Sequence, residues 1–263
     1  MTDKRAPLIL LLVFLVAGPM ASSHAAGSGP TIAAAASLRD LLPELAERFT
    51  ERTGIRPRLS FGASGNLRRQ IAQGAPFDLI LSANETYVLD LAREGHLMDE
   101  GAVYALGRLA LLVPTASPLQ ADGSLEDLRA ALTDGRLKRL AIANPEHAPY
   151  GTAARDVLRT LGLWEAAQSK LVIGENVGQA AQFATTGAAQ GGIVAYSLAM
   201  SPRLVDCCQH TPIPTQFHAP LRQRGALVKG AKEPARSFFD FILGQEGRAL
   251  IARHGFALPD SKH

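Results

Sequence analysis

The chain has 263 residues, of which 47% are hydrophobic, 19% charged and 6% aromatic, a composition that supports a large packed core and excludes a disordered or fibrous protein. Its 27 basic and 24 acidic side chains leave a formal charge of +3. No basic run or basic-aromatic stripe is present, so nucleic-acid binding is not indicated.

Residues 1–25 read as a cleavable secretory leader. Lys4 and Arg5 precede an apolar stretch from Leu8 to Ala17, and Ser23-His24-Ala25 puts small residues at −3 and −1 of a cleavage site after Ala25. The competing reading is a buried or amphipathic N-terminal helix. The apolar stretch is shorter than the ~20 residues of a spanning helix, and no later segment is as long and uninterrupted. No cysteine stands near Ala25 to carry a lipid, so the expectation is a free, exported, soluble protein.

Beyond the leader, short β-rich runs alternate with amphipathic helical ones. Thr31–Ala35 predicts a strand, Leu38–Arg52 a helix with Leu41, Leu42, Leu45, Ala46 and Phe49 on one face, and Gly54 its end. Ile55–Phe61 and Phe77–Ser82 predict strands, and Leu67–Gln73 and Glu85–Glu94 helices, each stopped by a glycine. The pattern continues with strands at Arg108–Pro114, Leu140–Ala143 and Gly192–Tyr196. Helices are predicted at Leu125–Leu132, Ala153–Leu161 and Gln179–Thr186. Ser201–Pro220, with four prolines, breaks the rhythm, which resumes with a strand at Gly225–Val228 and a helix at Glu233–Leu243. Strand and helix in alternation with short glycine-punctuated loops predict an α/β protein with mostly parallel sheets covered by helices. Two lobes are expected, with the chain crossing near Ala105–Pro114 and returning near Pro212–Leu227. Lobe 1 then holds residues 30–110 and 213–263, and lobe 2 residues 111–212.

The two cysteines, Cys207 and Cys208, are adjacent, which excludes a disulfide framework. Free thiols in a loop are the first reading, a strained vicinal disulfide the second, and a metal site, for which His210 is the only near neighbour, the third.

In open α/β sheets ligands bind at the carboxyl ends of strands, where helices begin and their first N–H groups point outward. Three such junctions stand out: Ala34-Ala35-Ala36-Ser37-Leu38, Phe61-Gly62-Ala63-Ser64-Gly65-Asn66-Leu67, and Pro145 through Thr152 with Tyr150 inside it. Singly, each has an ordinary explanation. Ser37 suits a helix cap, the Gly-Ala-Ser-Gly-Asn stretch a tight turn, and Tyr150 a core aromatic. Together they describe an oxyanion site, in which helix N-termini hold an anion without a central Lys or Arg. The first two junctions contain no Asp or Glu, and Glu146 in the third is read as a solvated or capping side chain. A donor-only pocket suits molybdate, tungstate or sulfate better than phosphate, which keeps a proton on part of its population and wants an acceptor.

At this point the chain resembles the periplasmic molybdate-binding proteins of ABC transporters, which have the type II periplasmic-binding-protein fold. The resemblance covers nearly all of the chain after the leader. It is carried by Ala33–Leu38, Ser60–Gln73, Gly74 to Ala83, Asn144 to Gly151, Glu175-Asn176-Val177 and Gly192-Ile193-Val194. Its most specific stretches are Gly-Ala-Pro-x-Asp-Leu and Pro-Glu-His-x-Pro-x-Gly in combination. It implies two lobes, each a mostly parallel sheet flanked by helices, with the ligand cleft between them. The implied ligand is molybdate, with tungstate beside it, so that molybdenum is held only as the oxyanion and no cofactor is needed. By position, Ser37 and Ser64 would donate hydroxyl and backbone N–H bonds, and Tyr150 and Val177 backbone N–H bonds. Where some relatives place a tyrosine hydroxyl, this chain has Ala195, with Tyr196 one residue later. Either Tyr196 reaches in by a register shift or Tyr150 supplies a hydroxyl from the opposite side. A one-residue offset on a strand turns a side chain to the other face, which favours Tyr150. The resemblance further implies a monomer in the periplasm that delivers its oxyanion to an ABC permease in the inner membrane. An oxyanion bridging the lobes would hold them closed, and closure would be the signal the permease reads.

Two rivals remain open at this stage. An enzyme is not expected, because Asn66 stands where a Gly-x-Ser-x-Gly elbow needs its last glycine and neither His147 nor His254 sits in a triad context. The same fold with sulfate, thiosulfate, an organic anion, or ferric iron held by Tyr150 and Tyr196 is the closer alternative.

Overall fold

In the first half of the chain, apolar strands and amphipathic helices alternate as the sequence requires. The computed structural model describes residues 29–259, so the leader expected over residues 1–25 lies outside the described residues. β1 (Thr31–Ala35) is buried from Ile32 onward, as a central parallel strand must be. A single 3-10 turn at Ala36–Leu38 leads to α1 (Leu41–Thr53), which buries Leu41, Leu42, Leu45, Ala46 and Phe49 and ends at Gly54, whose φ of 72° suits glycine. There follow β2 (Arg58–Gly62), α2 (Ser64–Ala72), β3 (Leu79–Ser82), α3 (Glu85–Arg93) and β4 (Ala102–Gly107).

Arg108 alone separates β4 from β5 (Leu109–Pro114), the first strand of a second sheet. Residues 109 and 110 therefore lie on the second sheet, ahead of the change expected at 111. This part continues with α4 (Glu126–Thr133), β6 (Leu140–Ala143), α5 (Pro149–Thr160), α6 (Trp164–Gln168), β7 (Leu171–Gly174), α7 (Val177–Thr185), β8 (Gly192–Ala195), α8 (Tyr196–Ala199) and β9 (Cys208–Pro212). The chain then returns to the first sheet through β10 (Leu221–Leu227), α9 (Glu233–Leu243) and α10 (Gln245–Arg253).

The sheets have strand orders β2-β1-β3-β10-β4 and β7-β6-β8-β5-β9. Each is mostly parallel, with one strand reversed: β10 in the first and β5 in the second, the strands on which the chain arrives after changing lobe. Alternation along the strands divides the first lobe's core. Ile32, Ala34, Leu79, Leu81 and Leu227 pack under α1 and α9, while Ala33, Ile80 and Ala226 pack under α2 and α3. The second lobe's core runs on into Ala35, Ala36, Ala63 and Ala83 of the first lobe, so the lobes meet at the carboxyl ends of their strands.

Three of the four edge strands, β4, β7 and β9, escape sequence reading, because an edge strand lacks the two-sided apolar run of a central one. In β9 only Cys208 is buried, and the stretch expected to be irregular is partly strand. The cysteines are free, with Sγ atoms 3.2 Å apart. Cys207 is exposed, and burial together with the neighbouring thiol pushes Cys208 up to about 12. Among the described residues, no helix is long and apolar enough to cross a membrane.

Candidate functional site

The three helices that face the gap between the lobes all start earlier than their apolar periodicity indicates. α2 starts at Ser64 instead of Leu67, α5 at Pro149 instead of Ala153, and α7 at Val177 instead of Gln179. The first turns face the cleft and carry at most one large apolar side chain each, too few to make an apolar stripe. The first N–H groups of a helix have no acceptor within it, and their partners decide what a helix start can bind.

In each of these helices, neighbouring groups take up all but one of those donors. At α2, Gly65 N–H donates across the cleft to the His147 carbonyl at 3.0 Å, and Asn66 and Leu67 donate to the Ala63 carbonyl, which leaves Ser64 N–H. At α5, Pro149 has no N–H, and Gly151 and Thr152 donate to the Ala148 carbonyl, which leaves Tyr150 N–H. At α7, the Asn176 side chain accepts from Gly178 and Gln179 and its carbonyl accepts from Ala180, which leaves Val177 N–H. The 3-10 turn at Ala36–Leu38 brings Ser37 to the same place.

Ser37, Ser64, Tyr150 and Val177 all line one small chamber. They are at most 4% exposed. Ser64 Oγ accepts from Ala83 N–H at 3.0 Å, so its own proton is free to donate. Ser37 Oγ is buried without a hydrogen-bond partner, while the Ser37 carbonyl accepts from Ser197 Oγ at 2.8 Å. The Tyr150 hydroxyl lies beside Ser37, although the pair does not meet hydrogen-bond geometry. Burial drives the Tyr150 phenol well above its usual range, with Ser37 and Gln223 acting in the opposite sense, so it stays a neutral donor at physiological pH.

No Asp, Glu, Lys or Arg lines the chamber, whose polarity comes from hydroxyls, backbone N–H groups and the positive ends of three helices. That donor set fits an anion, and the chamber presents no charged acceptor to a cation. A wider groove runs along α7 between Asp40 and Arg203, but its walls carry both signs of charge and, of the three helix starts, only that of α7 reaches it.

Gln223, Tyr104 and Ser197, which support this wall from behind, were not found by sequence reading, since nothing in a single Gln, Tyr or Ser marks it as buried. Asn176 carried a legible signal as a capping residue ahead of α7. Tyr196 is not part of the chamber, contrary to the alternative that had it reaching in. Its ring packs beneath Arg108, whose guanidinium carbon is 4.6 Å from the ring centre, and against His210 at 5.7 Å. Its displacement follows from the chain direction, because β8 ends at Ala195 and Tyr196 opens α8 with its N–H on the Arg108 carbonyl. Tyr150 and Tyr196 thus do not form a ligand pair. Among the described residues, no group of three or more His, Cys, Asp or Glu is placed to hold a metal ion.

The lobes are closed on the chamber. Besides Gly65 to His147, Asn66 pairs with Glu175, Asp40 with Arg203, and Gln223 Nε2 donates to the Tyr150 hydroxyl at 2.9 Å.

Comparison with known proteins agrees with this geometry. The family described as bacterial extracellular solute-binding protein matches residues 30–257. The chain is 36% identical over 251 residues to the molybdate-binding protein ModA of Azotobacter vinelandii, covering 94% of this chain and 97% of that protein. It is 35% identical over 235 residues to ModA of Rhodobacter capsulatus, covering 88% and 89%. The structure is similar to that of the Azotobacter vinelandii periplasmic molybdate-binding protein, with a TM-score of 0.80 at 30% identity over 88% of this chain and 100% of that one.

Proposed function

The chain belongs to the bacterial extracellular solute-binding protein family, in its molybdate-binding branch, and on that premise we propose that the chamber between its lobes takes molybdate through Ser37, Ser64, Tyr150 and Val177. The protein is the substrate-binding component of an ABC importer and not an enzyme. One observation carries the site assignment: three helix starts, each with a single uncommitted N–H, converge with two buried serines on a chamber free of acidic side chains. A tetrahedral dianion accepts from every such donor, and because the donors belong to both lobes it favours the closed form.

Tungstate has the same charge and shape and belongs to the same ligand class. Sulfate is smaller, and donors fixed in packed helix starts cannot all follow it inward, so size is the basis of discrimination. The protein works as a periplasmic monomer, released from its leader after Ala25, and hands its ligand to a permease in the inner membrane.

The test is a thermal melt of the ligand-stripped protein with molybdate, tungstate, sulfate, phosphate and ferric citrate added separately. A ligand at 100 times its Kd stabilises the folded state by about 2.7 kcal/mol. Molybdate and tungstate are expected to raise the midpoint. No shift with either, or a shift with sulfate or iron in their place, removes this ligand.

The serines are tested by calorimetry. Ser37→Ala and Ser64→Ala are each expected to weaken molybdate by about 1.5–3 kcal/mol, the contribution of a hydrogen bond to a charged group. Unchanged affinity in both variants overturns their assignment.

A further inference from the structure

Behind Ser37 the polar wall continues into a buried line of side chains that ligand contact alone does not explain. Tyr104 on β4 donates its hydroxyl proton to Gln223 Oε1 at 3.0 Å, and Gln223 on β10 donates from Nε2 to the Tyr150 hydroxyl at 2.9 Å. Gln223 is fully buried and Tyr104 and Tyr150 are 2% exposed, so these groups rely on protein partners, the Ser82 carbonyl at 3.5 Å from the Tyr104 hydroxyl being the one outside the line. The line sits where the chain passes between lobes. Its amide lies at a register shift between β10 and β4, and Gly107, the last residue of β4, makes room for it. A Cβ at Gly107 would stand 2.5 Å from the Tyr150 hydroxyl oxygen and 2.7 Å from Gln223 Nε2.

Such a line has a direction. A phenol carries one proton, and the Gln223 amide donates into the Tyr150 oxygen, so the Tyr150 proton must point elsewhere. Ser37 lines the same chamber as Tyr150, and its Oγ is buried with no hydrogen-bond partner, so it is free to turn toward that proton. A serine oxygen that accepts the Tyr150 proton sends its own proton into the chamber. Resting on the oxyanion reading above, we propose that Gln223 is a positioning residue that acts through Tyr150 to hold the Ser37 hydroxyl as a donor toward the ligand.

The consequence is specificity. A hydroxyl free to rotate can donate to one anion and accept from another, and so serves a protonated phosphate as well as a bare dianion. A hydroxyl fixed as a donor leaves the P–OH proton of phosphate without an acceptor, and an unpaired buried polar group is unfavourable. Gln223 thereby separates fully deprotonated oxyanions from protonated ones without touching either.

Calorimetry with molybdate and with inorganic phosphate on the unsubstituted protein, Gln223→Leu, Tyr150→Phe and Ser64→Ala tests this. Gln223→Leu removes the amide, and Tyr150→Phe breaks the same line while keeping the ring and the amide, so either suffices if the other fails to fold. Both are expected to weaken molybdate about tenfold, the scale of one hydrogen bond, while phosphate is unchanged or improved, so that the ratio of the two affinities falls. Ser64→Ala, outside the line, is expected to weaken both anions and keep the ratio. If the folded variants weaken both anions alike, or leave molybdate unchanged, the positioning role is overturned and the ligand reading stands. If the unsubstituted protein does not bind molybdate, the ligand reading falls and this role with it.

Discussion

Ser64→Asp is expected to leave no measurable molybdate binding in a protein that still folds. The aspartate keeps an acceptor for the Ala83 N–H that Ser64 Oγ now receives at 3.0 Å, and a carboxylate at the start of α2 is favoured by the helix dipole. Toward a bound dianion the effect is the reverse. Two unit charges about 4 Å apart repel by about 4 kcal/mol at an effective dielectric of 20, and a dianion doubles this to about 8 kcal/mol. Even a quarter of that, about 2 kcal/mol, exceeds a tenfold loss. The substitution also separates anion from cation ligands, because a new carboxylate would strengthen a site for iron. Calorimetric titration with molybdate, alongside circular dichroism to verify the fold, reads the outcome. Molybdate binding within tenfold of the unsubstituted protein would mean that the anion sits elsewhere.

Gly65→Ala is expected to weaken molybdate by roughly 5- to 150-fold without lowering the stability of the unliganded protein. Gly65 is the second residue of α2, where alanine is the better helix former by about 1 kcal/mol, so an open first lobe loses nothing. In the closed form a Cβ at this position would lie 2.7 Å from the His147 carbonyl oxygen and 3.1 Å from the His147 Cβ, both on the opposite lobe. Overpacking of this kind is unfavourable by about 1–3 kcal/mol, and here it falls on the closed state alone. Denaturation without ligand gives the first quantity and calorimetry the second. Full affinity in the alanine variant would show that this contact between lobes is not part of ligand capture.

How much of this was legible in the sequence depends on where each element lies. Central strands such as β1, β3 and β6 have helices on both faces, so their apolar runs stand out, as do helices such as α1 that bury one stripe. Ala-Ala-Ala-Ser and Gly-Ala-Ser-Gly-Asn were legible as strand-to-helix junctions because each directly follows an apolar strand run and precedes a helical one. The edge strands β4, β7 and β9 were not, and neither were the true starts of α2, α5 and α7. Periodicity reports burial against a core, whereas those first turns pack against a cleft and another lobe. Tyr196 shows the opposite failure. It stands one residue after Ala195, where the resemblance led to an expectation of a tyrosine, and only the start of α8 turns it toward Arg108 and His210.

The sequence by itself determined the α/β class, the junctions at Ser37, Ser64 and Tyr150, and the absence of charge from the first two of them. These are local properties, set by residue type and by the period of apolar side chains. Only the tertiary structure decided which helix-start N–H groups remain uncommitted. Their competing acceptors, such as the His147 carbonyl for Gly65, come from the other side of the cleft. Tertiary structure also brought Gln223 and Tyr150, 73 positions apart in sequence, into hydrogen-bond contact where the lobes join. Such a contact arises from the meeting of two sheets that the chain builds separately, and no spacing along the chain encodes it.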